Sequence, residues 1–211
     1  MKLLSSLFCH KKFTLEWVVK EARVSLLLQL PRPSKAATGS ALCLYYLACD
    51  EDTMEKICGL SPSLLQELVR CCLWLLECSH DTGRQYAVMF LGLAFPYRAI
   101  LEIFDENDGL RRLYNTISTL SIVSEKEEER ENMGDDEEFN QKQSVRHTAH
   151  SLKKYVESHL AIRVAEEVGR AMRAEGCSPQ PPQPPGKPYR LEQDQVSIYM
   201  NDIIAYPYFH I

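Results

Sequence analysis

The sequence lacks long apolar runs, sustained alternation of apolar and polar residues, and glycine-rich loops. No window reaches the roughly 18 uninterrupted apolar residues of a membrane span, and residues 64–76 already contain Gln66, Glu67 and Arg70. No alternating run indicates a β-strand. Neither a GxSxG elbow, a phosphate-binding loop nor the HRD and DFG triplets of kinases occurs. We therefore predict a non-enzymatic chain with no catalytic residue, no cofactor site and no membrane partner.

The chain also has no excess of basic over acidic residues. Its net charge is −5 over 211 residues, and residues 124–138 alone carry −7, which leaves +2 for the remainder. The acidity therefore belongs to one short segment. Because no basic stripe is present to release counterions from phosphates, we predict no direct binding of nucleic acid.

The eight cysteines form no CxxC pair and have no regular spacing. This pattern favours neither a zinc ribbon nor a disulfide scaffold, and it is typical of a reducing compartment. Cys78 and His80 follow Cys71 and Cys72 and are candidate metal ligands, but adjacent thiols on a helix point to different faces. Buried free thiols are the favoured interpretation.

Three histidines lie along one long predicted helix. His147 and His150 have the i, i+3 spacing that can share a metal ion, and His159 follows further along. No carboxylate nearby in sequence completes a ligand set. We therefore predict surface or hydrogen-bonding histidines and no metal site.

Apolar residues at helical spacing fill the first 123 residues. Blocks of matching phase begin at Val24, Leu65 and Leu110, and their offsets of 41 and 45 residues fall in the roughly 40–47 residue period of armadillo and HEAT repeats. Such helices bury a continuous core only by stacking. We predict an all-α, armadillo/HEAT-like helical repeat solenoid, with three large core side chains: Trp74, Phe90 and Phe104.

The pattern divides the chain into five segments. Residues 1–123 are predicted as armadillo-like repeats, 124–139 as an acidic loop, 140–175 as a long helix continuing the solenoid, 176–190 as a proline-rich linker, and 191–211 as the start of a further helix or repeat. The inward stripe of the long helix is predicted from steps of three and four residues: Val145, Ala149, Leu152, Val156, Leu160, Val164, Val168 and Ala171.

Two segments keep alternative interpretations. The acidic loop is either a solvated insertion or a docking strip for a basic partner, with Ser124 in an acidic context for phosphorylation. The PxxP sequence at 179–182 lacks basic residues on its near side. A spacer is therefore favoured over a ligand for a proline-binding domain.

Four blocks carry a resemblance to a known family: LFCHKKFTLEWVV (7–19), AATGSALCLYYL (36–47), AILEIFDENDGLRRL (99–113) and KKYVESHLAIRV (153–164). In this order they resemble the middle region of the Vpr-binding protein group of DDB-and-cullin-associated factors. The resemblance implies an armadillo-like, non-catalytic scaffold in a substrate receptor of a cullin-4 RING E3 ubiquitin ligase. It also implies protein partners and a location in the nucleus, with the cytoplasm as an additional location.

Members of that family also possess a LisH motif, a WD-repeat propeller that engages the ligase adaptor, and an acidic tail. We expect the chain to be a fragment, and adaptor binding to belong to the full-length parent. The alternative is a free-standing armadillo-type adaptor that binds a peptide or helix without a ligase role. Regular asparagine and tryptophan ladders would favour importin-like cargo binding, but the sequence has only Trp17 and Trp74.

Overall fold

The computed structural model describes residues 1–29, 35–78, 80–118, 120–123, 134–174 and 186–190. Within these residues the chain forms ten α-helices and one 3₁₀ turn and contains no strand. The all-α prediction is confirmed. The helices are α1 (Lys2–Leu7), α2 (Lys11–Val18), α3 (Glu21–Leu28), α4 (Lys35–Ala48), α5 (Glu51–Cys58), α6 (Pro62–Cys78), α7 (Asp81–Ala94), α8 (Arg98–Glu106), α9 (Gly109–Ser118) and α10 (Asp135–Ala174), with the 3₁₀ turn at Ser121–Val123.

Local chemistry explains several helix ends. Asp50 caps α5, because its Oδ2 accepts hydrogen bonds from the Thr53 backbone N–H at 2.9 Å and from the Thr53 hydroxyl at 2.8 Å. Pro62 is the first residue of α6, where its missing N–H costs no hydrogen bond. Between α8 and α9, Asp108 has a φ of 56°, a conformation that aspartate tolerates better than most residues.

The helices repeat in groups of three. Helices α1, α4, α7 and α10 pack in succession, and so do α3, α6 and α9. Val24, Leu65 and Leu110 lie near the starts of α3, α6 and α9, so the offsets in the sequence correspond to one structural repeat. Helix α10 therefore occupies the position of the first helix of a fourth repeat, and the predicted helical solenoid is confirmed.

A continuous core follows these two rows of helices, from Phe8 in the first repeat to Leu113 in the third. Phe90 and Phe104 are fully buried in it, as predicted. Trp74 is only partly buried and packs against the edge of the core. In the part of the chain that the structure describes, no helix combines the length and the apolar character needed to span a membrane.

Helix α10 begins earlier than the sequence predicted. The acidic loop was expected to end at residue 139, but the helix starts at Asp135. The reason is electrostatic: the first turn contains four acids, Asp135, Asp136, Glu137 and Glu138, and negative charge stabilises a helix N-terminus. Residues 124–133 with Ser124, the PxxP sequence at 179–182 and the segment 191–211 lie outside the described residues.

The side of α10 that faces the core also differs from the prediction. Thr148, Ser151 and Ser158 of α10 are 1%, 1% and 2% exposed, whereas Val156 is 62% exposed, and the Ser151 hydroxyl bonds to α7. The predicted stripe divides between environments: Val164 is buried, Val145 and Leu152 are half-buried, and Ala149, Val156, Leu160 and Val168 are exposed, while the side chain of Ala171 lies outside the described residues. The close approach to α7 favours small hydroxyl side chains over large apolar ones.

Candidate interaction surfaces

The interface between α7 and α10 is close and polar. The Ser151 hydroxyl donates a hydrogen bond to the Val88 carbonyl at 2.8 Å. A Cβ atom on Gly92 would lie 2.6 Å from Ser151 Oγ, so only glycine fits there without a shift. Nearby, the Gln85 side-chain amide donates to the Ser144 hydroxyl at 3.1 Å. These contacts fix the position of α10 along α7.

A second polar junction joins α10 to α8. The Tyr155 hydroxyl donates to Oδ1 of Asp105 at 2.8 Å, and its ring packs edge-on against Phe95. Burial, with the hydrogen bond to Asp105 and its charge, raises the pKa of Tyr155 to about 12. Nε2 of His159 lies 3.1 Å from the other Asp105 oxygen. Because the phenol stays protonated, this junction serves as a structural tie between two helices rather than a source of a base.

A small cavity lies between α7, α9 and α10. Its volume is about 10 Å³, which is room for about one water molecule. Burial, together with the charges of Arg146 and His150, lowers the pKa of His147, one of the lining residues. The cavity is far smaller than a typical small-molecule site. Most of the residues that line it are of polar type: Arg84, Gln85, Val88, Thr116, Ser144, His147 and Thr148.

The candidate metal ligands are placed in different surroundings. Cys71 and Cys72 are buried in the core, His80 is exposed at the start of α7, and the side chain of Cys78 lies outside the described residues. The three histidines of α10 are likewise in different environments: His147 lines the cavity, His150 is exposed and His159 faces Asp105. No cluster of three or more possible ligands occurs among the described residues.

The buried thiols are concentrated in the second repeat. Cys43 on α4, Cys58 on α5, and Cys71 and Cys72 on α6 are all buried. Burial raises the pKa of Cys43 to about 11 and that of Cys58 to about 12. Because the thiolate is the reactive form, these thiols are protected in the folded chain.

An apolar surface remains uncovered on α10. We call Val156, Leu160 and Val168 the outer face of α10. These side chains are 62%, 39% and 36% exposed, and they follow one another at helical spacing. Val164, which lies between Leu160 and Val168 at the same spacing, is buried, so the exposed side chains offer separate apolar contacts rather than one continuous patch.

A short extended segment returns to the second and third repeats. We call Gly186–Arg190 the strap. Its Lys187 ammonium lies 3.0 Å from Oε2 of Glu55 on α5, and its Arg190 guanidinium pairs with Glu51 on the same helix. The Tyr189 N–H donates to the Pro96 carbonyl at 2.7 Å. The predicted linker 176–190 thus ends in residues that contact the folded repeats.

The strap covers a surface between α5 and the start of α8, which we call the α5–α8 groove. The main packing neighbours of α5 are α2 and α4, and those of α8 are α6 and α9. The strap bridges from Glu51 and Glu55 on α5 to Pro96 and Arg98 at the start of α8. The Arg98 pKa is raised above its usual value, first by a hydrogen bond to Glu102 and also by Tyr189 and Glu166.

The sequence alone predicted neither the contacts of the strap nor the close packing of α10 on α7 through small side chains. Lys187 and Glu55 are 132 residues apart, and a single sequence carries no signal that pairs them. The i, i+4 spacing of Glu51 and Glu55 does predict that both lie on one face of a helix. Gly92, inside an apolar helix, was a possible signal of close helix packing.

Together these features define the chain as an armadillo-like helical-repeat protein. Residues 1–61 match the family model of the Mahjong helical domain, and residues 145–208 match that of the DCAF1 helical domain. The resemblance predicted from the sequence is confirmed, and the chain belongs to the DCAF1 and Mahjong family.

Individual relatives agree with these matches. Protein mahjong of Drosophila melanogaster is 46% identical over 163 residues, which cover 76% of this chain and 10% of the relative. DDB1- and CUL4-associated factor homolog 1 of Caenorhabditis elegans is 37% identical over 164 residues, 78% of this chain and 10% of the relative. The homolog of the same name in Arabidopsis thaliana is 30% identical over 164 residues, 78% of this chain and 9% of the relative. The chain spans about a tenth of the length of the curated relatives it matches.

Proposed function

We propose that the chain is a non-catalytic scaffold region of a substrate receptor of a cullin-4 RING E3 ubiquitin ligase. The observation that carries this proposal is the identity of 37% over 164 residues with a relative named DDB1- and CUL4-associated factor homolog 1. The proposed role is to support protein ubiquitination in the nucleus through contacts with other proteins.

The folded repeats suit this role physically. Successive packing of α1, α4, α7 and α10 gives a continuous stack of repeats, in which each repeat is held by its neighbours. The exposed apolar side chains of the outer face of α10 offer contacts to a protein segment. A stack of this kind positions other parts of a receptor without any chemistry of its own.

A chimera tests the proposal. The 163-residue matching region of Protein mahjong would be replaced by the corresponding residues of this chain, and a second version would carry a deletion of the region. Each protein would be purified from fly cells, and the recovered DDB1-type adaptor and ubiquitin conjugates would be measured. We expect the chimera to recover both as well as the native protein does, and the deletion to lose conjugates.

Two results would contradict the proposal. If the deletion leaves adaptor and conjugates unchanged, the region has no scaffold role. If the native relative recovers no adaptor, the ligase assignment is lost and the free-standing adaptor becomes the better hypothesis. The matched control is the chimera with Ala149→Asp, an exposed substitution on α10 away from its core contacts, which we expect to behave like the unmodified chimera.

A further inference from the structure

The α5–α8 groove already holds an extended peptide of defined chemistry. Two carboxylates one helical turn apart, Glu51 and Glu55, pair with two cations three residues apart in the strap, Lys187 and Arg190. Lys187 faces Glu55 and Arg190 faces Glu51, so the strap runs antiparallel to α5. The two ion pairs thereby make the groove selective for both the charge and the chain direction of the bound segment.

Contacts along the strap backbone add further selection. The hydrogen bond from the Tyr189 N–H to the Pro96 carbonyl places one backbone donor, while Pro188 has no N–H and needs no acceptor. A Cβ on Gly186 would lie 2.8 Å from Glu55 Cγ and 3.0 Å from its carbonyl oxygen. The groove therefore accepts glycine at this position and excludes larger residues.

The bonds that hold the strap are of a kind that exchanges readily. Both ion pairs involve exposed side chains, and exposed pairs contribute little and are screened by salt. The strap holds its place chiefly because it is tethered to the same chain, which raises its effective concentration at the groove. A free segment of the same chemistry would compete for the same contacts.

We propose that the α5–α8 groove is a docking site for an extended basic segment of a partner protein, of the pattern glycine, lysine, proline, tyrosine, arginine, and that the strap occupies it in cis. A partner segment must displace the strap to bind. This site uses only residues of the present chain and does not depend on the ligase assignment.

Peptide binding to the full chain tests the site. The probe is a fluorescein-labelled synthetic peptide with the sequence of residues 184–192, and its binding is measured by fluorescence anisotropy at low salt. The chain with Lys187→Glu and Arg190→Glu should bind it at least about tenfold more tightly than the unmodified chain, because the tethered competitor is released. Adding Glu51→Ala and Glu55→Ala to that variant should weaken the binding about tenfold, because both ion pairs are lost.

Two further variants serve as controls, one for the total charge and one for the pairing of charges in cis. Adding Glu16→Ala and Glu106→Ala to the strap variant removes the same charge at exposed positions outside the groove, and binding should persist. Combining Lys187→Glu and Arg190→Glu with Glu51→Lys and Glu55→Lys restores opposite charges in cis, and the basic peptide should again be excluded. Equal affinity of the strap variant and the unmodified chain, or an affinity that loss of Glu51 and Glu55 leaves unchanged, would overturn the proposal.

Discussion

At the residue scale, Gly92 and Ser151 set the distance between α7 and α10. The Ser151 hydroxyl is held by the Val88 carbonyl and lies where a side chain on Gly92 would project. Hydroxyl hydrogen bonds to a helix backbone are modest in energy, but burial makes their loss costly. The two residues therefore act as a pair, and substitutions at one depend on the other.

Gly92→Ala should destabilise the fold. The added methyl group overpacks the interface, which costs about 1–3 kcal/mol and outweighs the gain of about 1 kcal/mol from higher helix propensity. In a Ser151→Ala background the clash is removed, so the same substitution should be neutral or stabilising. Urea unfolding of the four proteins measures this coupling. Gly169→Ala is the control, because its nearest neighbour is 4.0 Å away; simple additivity of Gly92→Ala and Ser151→Ala would contradict the paired contact.

Asp50 should make stability depend on pH. Partial burial opposes its ionisation, but hydrogen bonds from Lys11 and Thr53 and the Lys11 charge lower its pKa below 3.8. Because the folded pKa is lowered, the stabilisation is present above the ordinary pKa and is lost as pH falls through the folded value. Asp50→Ala should cost about 1 kcal/mol at pH 7 through loss of the cap.

The control for Asp50 is Asp50→Asn, which keeps a capping oxygen and removes the charge. Urea unfolding between pH 2 and 7 would compare the variants with the unmodified chain. The stability difference from Asp50→Asn should be largest near neutral pH and should vanish in acid. A difference that stays constant over this range would show that the charge of Asp50 does not contribute.

Single residues also mark the limit of sequence-based prediction here. The cap by Asp50 and the start of α6 at Pro62 were readable, because both depend on neighbours a few residues away. The pairs Lys187–Glu55 and Tyr155–Asp105 join residues that are 132 and 50 positions apart. Such pairs depend on the path of the whole chain, which the residue types alone do not specify.

At the scale of elements, α10 shows why a helical period does not by itself identify the buried face. Its apolar residues follow a regular spacing, yet the buried positions include Thr148, Ser151 and Ser158, whereas Val156 is exposed. The close approach of the helices selects small side chains, whereas the period records only which residues are apolar. The sequence therefore predicted that α10 is a helix, but it did not predict which side of α10 is buried.

Aspartate substitutions along the predicted stripe test the orientation of α10. Val156→Asp should change the free energy of unfolding by less than about 0.5 kcal/mol, because the position is exposed. Val164→Asp should cost more than about 3 kcal/mol, because it buries an unpaired charge. Urea unfolding of the two single variants gives the comparison. Equal losses of unfolding free energy at both positions would support the buried face that the sequence predicted.

At the scale of the whole molecule, two rows of helices connect the repeats. Helices α1, α4, α7 and α10 form one row, and α3, α6 and α9 form the other. The 41 and 45 residue offsets predicted this arrangement because each repeat must present similar faces to its neighbours. In such an array each repeat is stabilised mainly by its neighbours, and α1–α3 packs chiefly against α4–α6.

Substitutions in the first repeat and in α7 should reduce hydrogen-exchange protection over different parts of the array. Phe8→Ala removes a buried ring whose centroid lies 4.9 Å from that of Trp17, and Phe90→Ala removes a fully buried ring in α7; each should cost about 3–5 kcal/mol. Hydrogen exchange with mass spectrometry should show lost protection confined to α1–α3 for Phe8→Ala and extended through the array for Phe90→Ala. Uniform loss in both variants would indicate one cooperative unit.

The buried cysteines of the second repeat allow its opening to be followed by thiol alkylation. Each of α4, α5 and α6 carries at least one buried thiol, and a thiol-alkylating reagent reaches these sulfurs only when that repeat opens. The rate of alkylation, followed by mass after proteolysis, therefore times the opening of each helix in the unlabelled protein. Cys9 and Cys49, which are exposed, react first and set the reference rate.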